Sequence, residues 1–355
     1  MVEIEATLTV DALAVRAGLL AQDAQRDQYV RAHARGTFFH LAGWRRVVER
    51  VYGHEPLDLY AWRGERLVGV LPLMLCRGLL GARRLISMPY ATYGGPLGDE
   101  PGIEQRLVSE AQRMSEELGA SYLELRCTSD PGLELPGTDL YCTFLRQLPD
   151  DPAQVLARMP KKSRAEARKA RERHGLELSS GSWYLEDLQR LFFLNKHELG
   201  SPSLPAAHFR ALLDEFERDA FVHLVRQGGT PLAAVMSFAH GQTLIAYYAG
   251  TQPWADRAVS ASNFMYLALQ EWAVERGFKV FDFCRSRVNS GAFEFKRHQG
   301  FEPTPLHYRY HLVRRSRAPS FTPSNPRTAL LRGVWSRLPV WLARSLSDRL
   351  SHYLP

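Results

Sequence analysis

The densest run of reactive residue types lies near the end of the second half of the chain. Residues 281–301 read Phe-Asp-Phe-Cys-Arg-Ser-Arg-Val-Asn-Ser-Gly-Ala-Phe-Glu-Phe-Lys-Arg-His-Gln-Gly-Phe, and Tyr247-Tyr248 close an apolar strand shortly before it. Amide-bond formation suits such a set. An amine must lose a proton, and a carbonyl oxygen must gain negative charge that a nearby cation stabilises. Lys296, flanked by Phe293, Phe295 and Phe301, is the best-placed cation, because packed surroundings screen its charge less. Arg285 and Arg287 are suited to bind a phosphate or carboxylate. Asp282 alternates with Phe281 and Phe283, so it faces the other side of its strand. There it can orient the amine, accept its proton, or form a buried ion pair with an arginine.

A second basic group precedes this cluster. Residues 161–174 carry seven Lys or Arg against Glu166 and Glu172, and Lys161, Arg164, Arg168 and Arg171 recur at helical spacing. Such a stripe can bind a pyrophosphate or a nucleic-acid backbone, or can be a solvated face. Residues 309–355 carry nine Arg against Asp348, so the formal charge of +7 is local rather than diffuse.

The elements that must position these residues follow a repeated order. In the first half a helix with Leu41, Trp44, Val47, Val48 and Val51 on one face precedes a hairpin (LDLYAW, a turn at Gly64, RLVGVLPLMLCR). A helix over 103–119, ending at Gly119, then leads into the strand SYLELR. The second half repeats this pattern with helices, three short strands, a helix ending at Gly277 and the strand KVFDFCRS. Two antiparallel meanders, each followed by a helix and a parallel return, predict an α+β fold of tandem GNAT-like domains, with mixed, mostly antiparallel sheets flanked by helices. The expected division is 1–155, 156–315 with the basic entry helix 161–174, and 316–355, a Pro/Ser linker and an Arg-rich amphipathic helix kinked at Pro339.

Several chemistries find no signal. Cys76, Cys127, Cys142 and Cys284 are scattered, which predicts buried thiols and neither a metal nor a redox site. The start, MVEIEATLTVD, lacks a signal peptide's basic and apolar segments, and Leu67–Leu75 is too short to span a bilayer. A cytoplasmic protein is expected, with the C-terminal helix either docked on the protein itself or resting on an anionic inner membrane. Between Thr251 and Asn263 no glycine occurs, which argues against an ordinary acyl-coenzyme A pyrophosphate loop.

In order and spacing, FFHLAGW, YGHEP, LVGVLPL, SMPYATYGGPL, YLELR, MPKKSRAEARKA, LGSP, AYYAG, SNFMY, FDFCRSR, FEFKRHQGF and NPRTALLRGVWSRLP resemble the FemAB family. The match is with the subgroup associated with exosortase/PEP-CTERM exopolysaccharide systems. That resemblance implies transfer of an acyl or aminoacyl group onto an amine of a peptidoglycan or exopolysaccharide precursor, from aminoacyl-tRNA or acyl-coenzyme A and without a fixed cofactor. It implies an oxyanion-stabilising role for Lys296, and substrate-binding roles for Lys162, Arg164, Arg168, Lys169, Arg285, Arg287, Tyr247, Tyr248 and Asn263. The chain departs from the pattern at Cys284, where glycine is usual, and at Arg287, where lysine is usual. It also lacks the coiled-coil arm of some relatives, which leaves the donor open. An acyl-coenzyme A-dependent N-acyltransferase and a non-enzymatic peripheral assembly factor are the competing readings.

Overall fold

A computed structural model of the chain describes residues 12–78, 81–318 and 326–353. The acidic opening segment, part of the glycine-rich turn after Arg77 and the core of the Pro/Ser linker lie outside these residues. In the first half, β1 (Leu13–Ala17), α1 (Asp23–Ala32) and α2 (Ala42–Tyr52) precede β2 (Glu55–Pro56), β3 (Leu59–Arg63), β4 (Arg66–Leu71), β5 (Met74–Arg77), β6 (Arg83–Ile86) and β7 (Leu97–Gly98). Then come α3 (Pro101–Glu117), β8 (Tyr122–Cys127) and β9 (Gly137–Thr138). Helix α2 buries Trp44, Val47 and Val48 as its periodicity predicts. Its Arg45 is also buried, because Asp58 holds the guanidinia of Arg26 and Arg45 at 2.5 and 3.0 Å while accepting the Leu73 N–H. Charges this deep are tolerated only when paired, and here the pairing ties α1 and α2 to the start of β3.

The stretch RLVGVLPLMLCR, read as one strand, is two. Pro72 lacks the N–H a ladder requires, so the chain breaks there. As a result β4 pairs β3 in one sheet and β5 pairs β6 in another.

β10 (Tyr141–Gln147) closes the first half of the sequence, and α4 (Ala153–Arg158) leads across into the second. There α5 (Lys161–Glu172), β11 (Leu176–Ser180), α6 (Leu185–Glu198) and α7 (Ala206–Glu215) precede the meander β12 (Ala220–Gln227), β13 (Thr230–His240) and β14 (Thr243–Thr251). After it come α8 (Ala255–Val259), α9 (Ala261–Glu275), β15 (Val280–Asp282), β16 (Ser286–Arg287), α10 (Gly291–His298), β17 (Pro303–Pro305) and β18 (His307–Leu312). Two last helices, α11 (Pro326–Trp335) and α12 (Val340–Leu350), are separated by a break at Pro339. Helix α10 had no counterpart in the sequence reading. Its only local signal is Ser290, whose hydroxyl caps the Phe293 N–H.

The two halves repeat one sheet pattern. Strands β5, β6, β8 and β18 pair antiparallel, parallel and antiparallel, and β13, β14, β15 and β10 do the same. The last strand of each quartet comes from the other half of the sequence. β10, before the basic helix, completes the second sheet, and β18, near the end, completes the first. Neither sheet is complete without the other half.

One hydrophobic core also runs through both halves, joining Phe38, Trp44 and Tyr60 to Leu188, Phe209, Phe238 and Tyr248. Phe38 and Phe238 stack with ring centroids 4.5 Å apart. All four cysteines are buried and unbridged. Gly250 lets α6 lie against β14, since a Cβ there would meet the Phe192 nitrogen at 2.3 Å.

Candidate active site

A cavity of about 410 Å³ opens at the junction of the two halves. The first half contributes Tyr90, Thr92 and Arg126 to its wall. The second contributes Phe192, Lys196, the turn 201–204, Tyr247, Tyr248, Tyr266, the corner Phe283-Cys284-Arg285 and Lys296, and the C-terminal tail adds Ser351.

Adjacent residues on a strand normally face opposite ways, yet Tyr247 and Tyr248 both line this cavity. A bulge explains it. Met236 pairs with Tyr248 and Ser237 with Ala246, which leaves Tyr247 with no partner in register. The Tyr247 hydroxyl then donates to the Tyr90 carbonyl at 2.7 Å, locking the strand to the first-half loop.

β15 ends in a sharp corner at Cys284, whose φ of +58° lies in the left-handed region. The corner turns the carbonyls of Phe283, Cys284 and Arg285 inward, and Lys296, one face of α10 away, donates to all three at 2.5, 2.9 and 3.3 Å. Its ammonium also lies 5.4–5.5 Å from the ring centres of Phe144 and Phe283. Burial pushes the Lys296 pKa down to about 8. The three carbonyls act the other way and favour the charged form, so the group is a cation at neutral pH.

Asp282 is 3% exposed and does not line the cavity. Its carboxylate accepts the Cys284 N–H at 2.7 Å, the Tyr93 hydroxyl at 3.1–3.2 Å and the Thr143 hydroxyl at 3.4 Å. Burial raises its pKa, and the Cys284 and Tyr93 donors oppose the rise. Neither Arg285 nor any other arginine pairs with it among the described residues, so the ion pair weighed from sequence is not formed. Arg285 instead lies 4.7 Å from the Tyr141 ring centre and donates to the Tyr308 hydroxyl at 3.0 Å. Tyr308 in turn donates to the Thr92 carbonyl at 2.6 Å.

Of the residues picked out in the sequence, Lys296, Arg285, Tyr247 and Tyr248 meet at the cavity. The others sit elsewhere. Asn263, on α9, accepts from the Gln299 amide at 2.6 Å. Arg287 lies in β16, opposite Tyr141. Lys162, Arg164, Arg168 and Lys169 are on α5, and none of them reaches the cavity. The helical stripe is divided there: Arg164 donates to the Ala157 carbonyl and Arg171 pairs with Glu271, while Lys161, Lys162, Arg168 and Lys169 are exposed.

Sequence reasoning missed Lys196 and Arg126. Burial, with Arg285 as a nearby like charge, lowers the Lys196 pKa. Arg126 is held by Glu124 at 2.8 Å and by the Ala91 carbonyl at 2.8 Å. An arginine ending the apolar strand YLELR was the available signal for the latter. Lys196 sits in an ordinary amphipathic helix and carried none.

A helix N-terminus is a ready anion site, and that of α9 begins at Ala261, inside the glycine-free stretch 251–263. Here it is filled by the chain itself. Helix α8 folds across it, and the Asp256 carboxylate accepts the Ser262 N–H and hydroxyl at 2.7 and 2.9 Å. An anionic side chain is already satisfying the helix dipole at that end.

These features match known proteins in fold. A family model described as an acetyltransferase (GNAT) domain matches residues 157–297. A crystal structure of FemX superposes with a TM-score of 0.64 at 11% identity, over 85% of this chain and 98% of that one. A tandem GNAT protein from the clavulanic acid biosynthesis pathway, solved without AcCoA, gives 0.54 at 14% identity over 87% of this chain and all of that one. The C-terminal domain (DUF2156) of a putative lysylphosphatidylglycerol synthetase from Agrobacterium fabrum gives 0.51 at 14% identity, over 88% and 96%. No curated protein matches the chain in sequence. The molecule therefore has a tandem GNAT-like fold with a mixed, mostly antiparallel α+β architecture.

Proposed function

We propose that this chain is an acyltransferase of FemAB-like type that forms an amide on an amine of an anionic cell-envelope precursor, peptidoglycan or exopolysaccharide. The resemblance of its motifs, in order and spacing, to the exosortase-associated subgroup supports this reading. The observation that carries the reading is the convergence of Lys196, Arg285 and Lys296 on one cavity between the halves, with no carboxylate in salt-bridge contact with any of the three among the described residues. Cations that face a cleft without a salt-bridge partner favour an anionic substrate and stabilise negative charge formed in it.

In the reaction, the acceptor amine attacks the acyl carbonyl carbon. A C–N bond forms, the bond from that carbon to the carrier oxygen or sulfur breaks, and the proton lost by the amine leaves on the carrier group as a hydroxyl or thiol. Lys296 supplies positive charge beside the carbonyl oxygen, whose developing charge can displace the longest of the three carbonyl contacts. Asp282 acts from behind as a positioning residue: it holds the Cys284 corner that aims those carbonyls, and so the ammonium. Arg285 and Lys196 hold the acceptor's phosphate or carboxylate. The exposed Lys162, Arg168 and Lys169 on α5 offer a separate surface for a polyanionic donor such as charged tRNA. An acyl-coenzyme A donor is the second reading, favoured by the GNAT model match at 157–297. Against it stands Asp256, which occupies the helix end a pyrophosphate would use.

Thermal-shift titration with coenzyme A, acetyl-coenzyme A, charged tRNA and UDP-linked precursors tests the assignment, because a ligand of the native state raises the melting temperature. Stabilisation by charged tRNA or a UDP-linked precursor supports it, and stabilisation by coenzyme A alone replaces it with the second reading. With the stabilising pair as substrates, Lys296→Met should lose transfer by 100-fold or more, on the order of one lost oxyanion donor, while still unfolding in one cooperative transition. Full activity in that variant would remove Lys296 from the mechanism.

A further inference from the structure

The C-terminal helices do two things at once. Their inner side docks on the protein. Ala343 and Ser347 are buried, the Ser347 hydroxyl receives the Ser203 N–H at 3.1 Å, and the Leu338 carbonyl lies 3.0 Å from His197 Nε2. Beyond α12, the Ser351 carbonyl accepts the Tyr90 hydroxyl at 2.9 Å. Their outer side is apolar and bare. Leu330, Leu331, Val334, Val340 and Trp341 are 48–72% exposed, and Leu199, next to the Gly200 that touches Arg332, is 60% exposed. Twelve large hydrophobic residues are exposed among the described residues, and half of them are these six. Singly scattered apolar residues need no explanation, whereas a concentration of them marks a contact surface.

Charge selects the partner. Residues 326–353 hold five arginines and one acidic residue, Asp348, a net charge of +4. Arg337, in the turn between the helices, and Arg349, near the end of α12, are exposed, and Trp341, the most exposed of the six, is the side chain best suited to a headgroup boundary. Leu330, Leu331 and Val334 share one side of α11, and Val340 and Trp341 open α12 directly after the turn at Ser336–Pro339, so the apolar side chains flank one tight bend. No helix of the described residues is long and apolar enough to cross a membrane. A short apolar ridge rimmed by arginine suits the surface of an anionic bilayer instead.

We propose that α11 and α12 form a peripheral docking surface for an anionic lipid bilayer, with Leu331, Val334 and Trp341 entering the headgroup boundary. Ser351, on the same segment, lines the cavity, so docking sets the site beside the bilayer.

Vesicle co-sedimentation of the full chain tests this. Vesicles of phosphatidylglycerol and phosphatidylethanolamine should bind it at least 10-fold more tightly than vesicles of phosphatidylcholine alone, with a blue shift of tryptophan emission. A Leu331→Glu/Val334→Glu/Trp341→Glu variant should lose at least 10-fold in partitioning at an unchanged melting temperature. These positions are exposed, so the variant should keep its fold; if its melting temperature falls, Arg337→Glu/Arg349→Glu provides the second reading and should weaken binding to the anionic vesicles by a similar factor. Equal sedimentation with and without vesicles, or a folded variant that partitions as the wild type does, overturns the proposal. So does a wild-type dimer that the triple variant converts to a monomer without any vesicle binding, since the surface would then serve self-association. No activity is read, so the outcome is independent of the function assigned to the cavity.

Discussion

Lys296 shows how one side chain takes its properties from its surroundings. Packed against Phe144 and Phe283, it loses solvation, and its pKa falls to about 8. Three carbonyls at a corner that only a left-handed residue allows keep the ammonium in place. The ammonium, not the neutral amine, stabilises an oxyanion, so its contribution is present below the folded pKa and is lost as pH rises through it. Transfer rate plotted against pH should therefore show a descending limb near pH 8. In Lys296→Arg, whatever activity remains should carry that limb at least a unit higher, because a guanidinium stays charged. An unchanged limb would assign it to another group.

Among the elements, the Asp58 cluster is the most exposed to a single substitution. Arg26, Arg45 and Asp58 are all buried, and α1, α2 and β3 meet through them. Arg45 retains Asp23 if Asp58 is removed, but Arg26 keeps no carboxylate among the described residues, being left with the His40 carbonyl and Tyr60. Asp58→Ala should thus cost about 3–5 kcal/mol, the range for a buried charge left without its partner, read as a lower urea midpoint at an unchanged slope. A loss under 1 kcal/mol would mean that water reaches the guanidinium. The elements also show where local reading ends. Pro72 divides one apolar stretch between two sheets, and Pro339 divides one amphipathic helix into two. The second break was legible as a kink, because proline in a helix acts locally. The first was not, because which sheet each fragment joins depends on partners distant in the chain.

Among the described residues, five histidines have their pKa lowered by burial. It falls to about 3 at His40, His208 and His223 and to about 4 at His54 and His240, against an ordinary value of 6.5. Between those values the unfolded chain binds protons that the native protein does not, so stability falls with falling pH throughout that window. Each histidine removes up to about 1.4 kcal/mol per pH unit below about 6.5. Urea midpoints should drop steeply from pH 7 to pH 4, and His223→Gln should flatten the slope by about a fifth. A flat profile would show that these rings are protonated in the native state. Because His40 and His208 belong to the region where the halves share one core, acid should unfold both halves in one transition rather than two.

Sequence alone determined the repeated order of helices and strands, the helix ends at Gly119 and Gly277, and the cation, Lys296, at the centre of the reactive cluster. Each of these rests on short-range causes: periodicity, a left-handed helix terminus, and the residue types flanking one lysine. The exchange of β10 and β18 between the sheets, the approach of Lys196 to the Arg285 corner, the withdrawal of Asp282 behind Tyr93 and the separation of α5 from the cavity were decided only in three dimensions. They depend on which strands find each other across some 130 to 190 residues of chain, and hydrophobic periodicity states which face of an element is buried without stating against what.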